Sequence, residues 1–134
     1  MLAPALNLIV GQRLLRKLHT CGTLQETTLG ENEEIKAMLR SIQQVAPQKA
    51  PAFDGKMFVP NGCEACNNDG YQGRLAAAEL LDVSSDVKDM ILAGKTTLDI
   101  YGDVRNHGYL TMKDDACMKL MEGKTTLEEI RRVL

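Results

Sequence analysis

Two cysteines stand three residues apart in the segment Asn61-Gly62-Cys63-Glu64-Ala65-Cys66-Asn67-Asn68-Asp69-Gly70. A Cys-x-x-Cys turn can present two thiolates to one metal ion, and Gly and Asn on both flanks supply the conformations of tight turns. Structural zinc takes about four ligands, so a second half-site is expected elsewhere. His19-Thr20-Cys21 is the one place where His and Cys stand together. The ligand set read from the sequence is therefore His19, Cys21, Cys63 and Cys66, holding a structural zinc. Two other readings compete. One is a bare polar turn with free thiols. The other is a redox dithiol at Cys63 and Cys66, which would want a helix N-terminus behind it to lower a thiol pKa; the turn here is rich in Gly and Asn instead. Cys117 lies among Met112, Ala116, Leu120 and Met121 and reads as a buried free thiol. His107, just before Gly108, reads as a helix-end residue.

Gly94-Lys95-Thr96-Thr97-Leu98 and Gly123-Lys124-Thr125-Thr126-Leu127 are identical, and each imitates the end of a phosphate-binding loop. That loop needs a further Gly five residues before the Gly that precedes Lys. Asp89 and Met118 occupy those positions. The pentapeptide reads as a joint between helices, with Gly ending one and Thr capping the next.

The elements that must carry these residues follow from periodicity. Leu6, Val10, Leu14 and Leu18 recur every four residues, with Leu8 and Leu15 on a second face, which predicts a helix over residues 2–18. Residues 19–30 read as polar and irregular. Ile35, Met38, Leu39, Ile42 and Val45 predict a second helix over 31–45, closed by Pro47 and Pro51. Residues 47–73 are rich in Gly and Pro, and a loop of that length needs a staple. Residues 75–83 read as a strand. The remainder reads as short capped helices: Ser84 or Ser85, Thr96 with Asp99, Thr111 with Asp114, and Thr125 with Glu128 mark the starts. Gly94, Gly108 and Gly123 mark ends.

The 134 residues suffice for one modest core or two small subdomains. With no Trp, two Phe and three Tyr, that core must be aliphatic, which suits helices. A net charge of −2 and a single basic cluster at Arg13, Arg16 and Lys17 argue against a nucleic-acid partner. No apolar run reaches the ~18 residues of a membrane span. Leu6–Val10 is too short for a signal peptide, and its basic residues follow it, so a cytoplasmic chain without membrane insertion is expected. Four Cys in a reducing compartment then favour metal over disulfides.

The order of these parts resembles the type II secretion and type IV pilus assembly ATPases. The similarity lies in Leu6–Leu18, in Gly62–Cys66 with Gly70-Tyr71-Gln72-Gly73-Arg74 and Glu79-Leu80-Leu81, and in Gly108–Met112 with Gly123–Val133. His19-x-Cys21 stands where the family usually has a first Cys-x-x-Cys pair. The family's phosphate loop, acidic boxes and histidine box lie upstream of this region and have no counterpart here. The resemblance implies an α+β, predominantly helical fold: the C-terminal part of a RecA-like motor domain with a small metal-binding subdomain. It implies three parts: residues 1–18 as the terminal helix of the motor domain, 19–83 as the metal-binding insertion and following strand, and 84–134 as a helical subdomain. The parent would be a cytoplasmic hexameric ATPase at the inner membrane, using ATP and Mg upstream of this chain. Its partners would be neighbouring subunits and an inner-membrane platform protein. A free-standing zinc-ribbon-like module and a small dithiol oxidoreductase are the alternatives.

Overall fold

The computed structural model describes residues 2–134 and has an α+β architecture of two small antiparallel sheets and five helices. A 3-10 turn at Ala3–Ala5 leads into strand β1, Leu8–Leu18. A short strand β2, Thr23–Glu26, precedes helix α1, Leu29–Val45. Strand β3, Lys56–Val59, and strand β4, Tyr71–Asp82, follow. Helices α2 (Ser85–Leu92), α3 (Thr97–Asn106), α4 (Met112–Met121) and α5 (Leu127–Val133) complete the chain.

The helix expected over residues 2–18 is instead β1, paired antiparallel with β4 from Leu8↔Asp82 to Leu18↔Tyr71. A repeat of four is also a multiple of two, so Leu6, Val10, Leu14 and Leu18 satisfy a strand as well as a helix. The strand wins because β4 supplies a partner along its whole length. Between Arg16 and Leu18 the register slips by one residue. The extra residue is on β4, and on β1 both Leu15 (0% exposed) and Leu18 (6%) are buried at this end of the ribbon. The short pair β2–β3, Thr23↔Val59 to Glu26↔Lys56, falls in stretches read from sequence as irregular and as loop. Four residues give too little alternation to stand out from a loop.

α1 starts at Leu29 under a reciprocal cap, with the Thr28 hydroxyl accepting from the Glu31 N–H and the Glu31 carboxylate accepting from the Thr28 N–H. Thr96 with Asp99 and Thr111 with Asp114 form the caps expected of them, and Ser84 caps α2. The cap of α5 differs: Thr126, not Thr125, accepts from the Glu129 N–H. The main core joins Leu15 and Ala77 of the ribbon to Ile35, Met38 and Ile42 of α1, Ala116, Cys117 and Leu120 of α4, and Leu127 and Ile130 of α5. A smaller cluster of Val83, Val87 and Val104 holds α2 and α3. Ile91 of α2 remains 36% exposed.

Candidate metal centre

The β1–β2 connection carries His19 and Cys21, and the β3–β4 connection carries Cys63 and Cys66. Because β1 pairs with β4 and β2 with β3, both connections meet at one place. There the donor atoms of His19, Cys21, Cys63 and Cys66 all lie within 4.8 Å of one another. Cys66 Sγ is 3.8 Å from Cys21 Sγ and 3.7 Å from Cys63 Sγ, and His19 Nδ1 is 3.6 Å from Cys63 Sγ. Tetrahedral zinc with bonds of about 2.3 Å to sulfur and about 2.0–2.1 Å to nitrogen requires S···S edges of about 3.8 Å and S···N edges of about 3.6 Å. The three edges given match that geometry.

Backbone geometry holds the two turns. Cys63 and Cys66 flank a 3-10 turn, with Cys66 N–H donating to the Cys63 carbonyl and Asn68 N–H to the same oxygen at 2.8 Å. Asn67 (φ 54°) and Asn68 (φ 60°) take the left-handed conformation that Asn tolerates best after Gly. At Gly70 (φ 83°) an added Cβ would lie 2.5 Å from Pro60 Cβ, so this close turn excludes a side chain. His19 N–H donates to the Gly70 carbonyl at 2.9 Å, tying the halves together. Cys21 N–H donates to His19 Nδ1 at 3.2 Å. Nδ1 has a single lone pair, so a metal bound at that nitrogen would take the place of this hydrogen bond.

The thiols are not equivalent. Burial works against ionising Cys66. The N–H groups of Cys63 and Gly70, which donate to its sulfur at 3.2 and 3.3 Å, outweigh this and bring it down to about 7. Burial raises Cys21, as does its hydrogen bond with Cys63. A cluster that already favours one thiolate is suited to a cation. Cys117 is fully buried in the main core, away from the cluster, and burial pushes its thiol up to about 12.

Sequence reasoning did not foresee what the centre rests on. Thr125 Oγ1 donates to the Arg16 carbonyl at 3.0 Å, and Leu18 N–H donates to the Lys124 carbonyl at 2.9 Å. Buried Glu129 accepts from Arg16 N–H and Nε at 2.8 Å each, and from Arg132 Nε and NH2 at 2.9 and 2.8 Å. The Tyr71 hydroxyl lies 2.9 Å from Thr126 Oγ1, and the Arg16 guanidinium sits 4.2 Å above the Tyr71 ring. The second copy of the repeated pentapeptide is thus docked beside the cluster. In the first copy, Leu98 is 79% exposed. The visible signal was Thr125-Thr126 followed by Glu129, which offers two alternative caps.

The family model for "Type II/IV secretion system protein" matches residues 1–132. The chain belongs to this family. The type IV pilus assembly ATPase PilB of Thermus thermophilus is 30% identical over 129 residues, covering 96% of this chain and 14% of that protein. PilB of Pseudomonas aeruginosa is 32% identical over 133 residues, covering 98% of this chain and 22% of the relative. Type II secretion system protein E of Dickeya dadantii is 32% identical over 136 residues, covering 99% of this chain and 24% of the relative. The chain therefore spans about a seventh to a quarter of the length of these relatives. Among the described residues, no helix is long and apolar enough to cross a membrane.

Proposed function

We propose that this chain is the C-terminal, metal-stapled part of a cytoplasmic hexameric ATPase that powers type IV pilus assembly or type II protein secretion. In this reading the chain contributes subunit packing and contact with an inner-membrane platform protein, and ATP and Mg bind upstream of it. Residues 1–18, which include strand β1 (Leu8–Leu18), would close a RecA-like motor domain, residues 19–83 would form the metal-binding insertion with its returning strand, and residues 84–134 the helical subdomain. Support comes from the match along almost the whole chain to a small part of much longer ATPases.

The observation that supports the local reading is the gathering of the four donors within 4.8 Å of one another, with three edges close to those of a tetrahedral zinc site. His19, Cys21, Cys63 and Cys66 would hold structural zinc, which supplies a crosslink between two loops. The protein's own groups do the rest. The N–H groups of Cys63 and Gly70 favour the Cys66 thiolate. A structural zinc is worth on the order of 10 kcal/mol in small modules, enough to order a Gly/Pro-rich loop.

Metal analysis of protein purified without a His tag tests this. One zinc per chain is expected, lost in Cys63→Ser and kept in Cys117→Ser. No metal in the wild type, with a melting temperature indifferent to chelator, would overturn the zinc assignment. Rapid, selective alkylation of Cys63 in a metal-free protein would instead favour a dithiol redox role.

A further inference from the structure

We infer that the metal centre and the docking of helix α5 are one coupled unit: metal binding tightens the helix, and the docked helix strengthens metal binding. The inference rests on the zinc reading above and goes beyond it by naming the element that responds. Both halves of the ligand set end next to groups that hold α5. On one side, Arg16 and Leu18 lie three residues and one residue before His19. Arg16 gives its N–H and Nε to Glu129, and its carbonyl accepts from Thr125 Oγ1. Leu18 N–H reaches the Lys124 carbonyl. On the other side, Gly70 N–H donates to Cys66 Sγ, and the next residue, Tyr71, meets Thr126 Oγ1.

The ladder between these strands is interrupted at the same point, where the register slips between Arg16 and Leu18. A bulge leaves a residue without a ladder partner and is a weak place in a two-stranded ribbon. The segment 124–129 is laid over that bulge, with Thr125, Thr126 and Glu129 all buried. Metal binding joins residues 19–21 to 63–66 and so pins both strands at the slip. Without the crosslink, the strand ends would be freer to move, and the hydrogen bonds to 124–129 are the next to be lost. The remaining polar tie of α5, Arg131 to Glu34 of α1, lies on an exposed surface and does not touch the ribbon.

Coupling of this kind is reciprocal. The factor by which metal favours the docked helix equals the factor by which the docked helix favours metal, commonly about fivefold to 150-fold. The test is zinc affinity of the 134-residue chain, measured by competition with a chromophoric chelator. Thr125→Val and Glu129→Gln, both outside the ligand set, should bind zinc about tenfold more weakly. Glu34→Gln, which cuts the other tie of α5, should bind it as the wild type does. In parallel, hydrogen exchange before and after chelation should show residues 124–134 losing protection together with 16–22 and 60–71, while α1 keeps its protection.

A wild type that binds no zinc would defeat the zinc reading and this inference together. Stoichiometric zinc with unchanged affinity in both variants, and unchanged protection of 124–134 on chelation, would overturn the coupling alone. So would a loss of protection spread evenly over every element. Should Glu129→Gln fail to fold, Thr125→Val decides, because it removes one hydroxyl and leaves the charges in place.

Discussion

Glu129 carries a charge at a position with no exposure to water. Arg132 and Arg16 hold its carboxyl well below the usual carboxylate range, at about 2, and the Arg16 N–H adds to their effect against the opposing pull of burial. A fall from 4.5 to about 2 corresponds to about 3 kcal/mol of stability favouring the ionised form. Because the folded pKa is the lower one, that stability is fully present above pH ~4.5 and is lost as pH falls toward ~2. With chelator present to remove any metal contribution, Glu129→Gln should therefore cost about 3 kcal/mol at pH 7. The wild-type and variant unfolding free energies should converge as pH falls through that window. A pH-independent gap between them would mean that the carboxylate acts by shape and not by charge. Cys117 shows the opposite case. Both side chains are fully buried, but Glu129 faces two guanidinium groups, whereas Cys117 is packed among apolar neighbours and burial pushes its thiol up to about 12. Cys117→Ser should leave metal content unchanged while placing a hydroxyl in the core, at a cost of about 1–3 kcal/mol.

At the scale of elements, the caps were the most legible feature and β1 the least. A cap is local chemistry. Thr96 with Asp99 and Thr111 with Asp114 satisfy helix-end N–H groups whatever packs around them. Thr28 with Glu31 has the same form, and reading it would have started α1 two residues earlier. The identity of β1 depends on β4, more than fifty residues away, and a four-residue repeat does not distinguish strand from helix. The repeated pentapeptide shows how far local chemistry reaches. Gly94 (φ 70°) and Gly123 (φ 73°) take the same conformation, yet an added Cβ meets nothing within 4 Å at Gly94, while at Gly123 it would lie 2.9 Å from Phe58 Cδ2. Gly94→Ala should cost about 1 kcal/mol for the left-handed backbone alone, and Gly123→Ala should cost about 1 kcal/mol more, or above. Urea unfolding measures both; equal losses would mean that Phe58 swings aside freely. The ribbon offers a second check. Arg16 turns its N–H away from β4, so by alternation Val10, Gln12 and Leu14 do the same further along the strand. Arg16 and Leu18 have partners in 124–129, and exchange at Leu14 should be roughly tenfold or more faster than at either. Equal protection in a dilute monomer would contradict an open edge.

Across the whole molecule, the four residues that cluster were legible in the sequence because residue type restricts metal chemistry so strongly: His beside Cys, and a Cys pair in a Gly/Asn turn, leave few other choices. What the sequence did not reveal is the scaffold around the site, since Arg16, Tyr71, Thr125, Thr126 and Glu129 are ordinary residues whose meeting depends on the ribbon and α5. The same reasoning bears on nucleotide chemistry. A phosphate loop works by wrapping successive backbone N–H groups around the phosphates, which requires the chain to curl before the Lys. Here the residues before each Lys belong to helices, α2 ending at Leu92 and α4 at Met121, so most of their N–H groups are committed to helical bonds. The Lys95 N–H donates to the Met90 carbonyl and the Lys124 N–H to the Lys119 carbonyl, closing those helix ends. Lys124 Nζ pairs with Glu122 at 2.5 Å, and the carbonyl of Lys124 is taken by Leu18 N–H. Both pentapeptides thus spend on helix ends the groups that a phosphate would need. The 134-residue chain should neither bind ATP tightly nor hydrolyse it, and Lys95→Ala and Lys124→Ala should leave any background turnover unchanged. Turnover that either substitution abolishes would show that one of these joints opens into a phosphate site, and the helix-end assignment would have to be withdrawn.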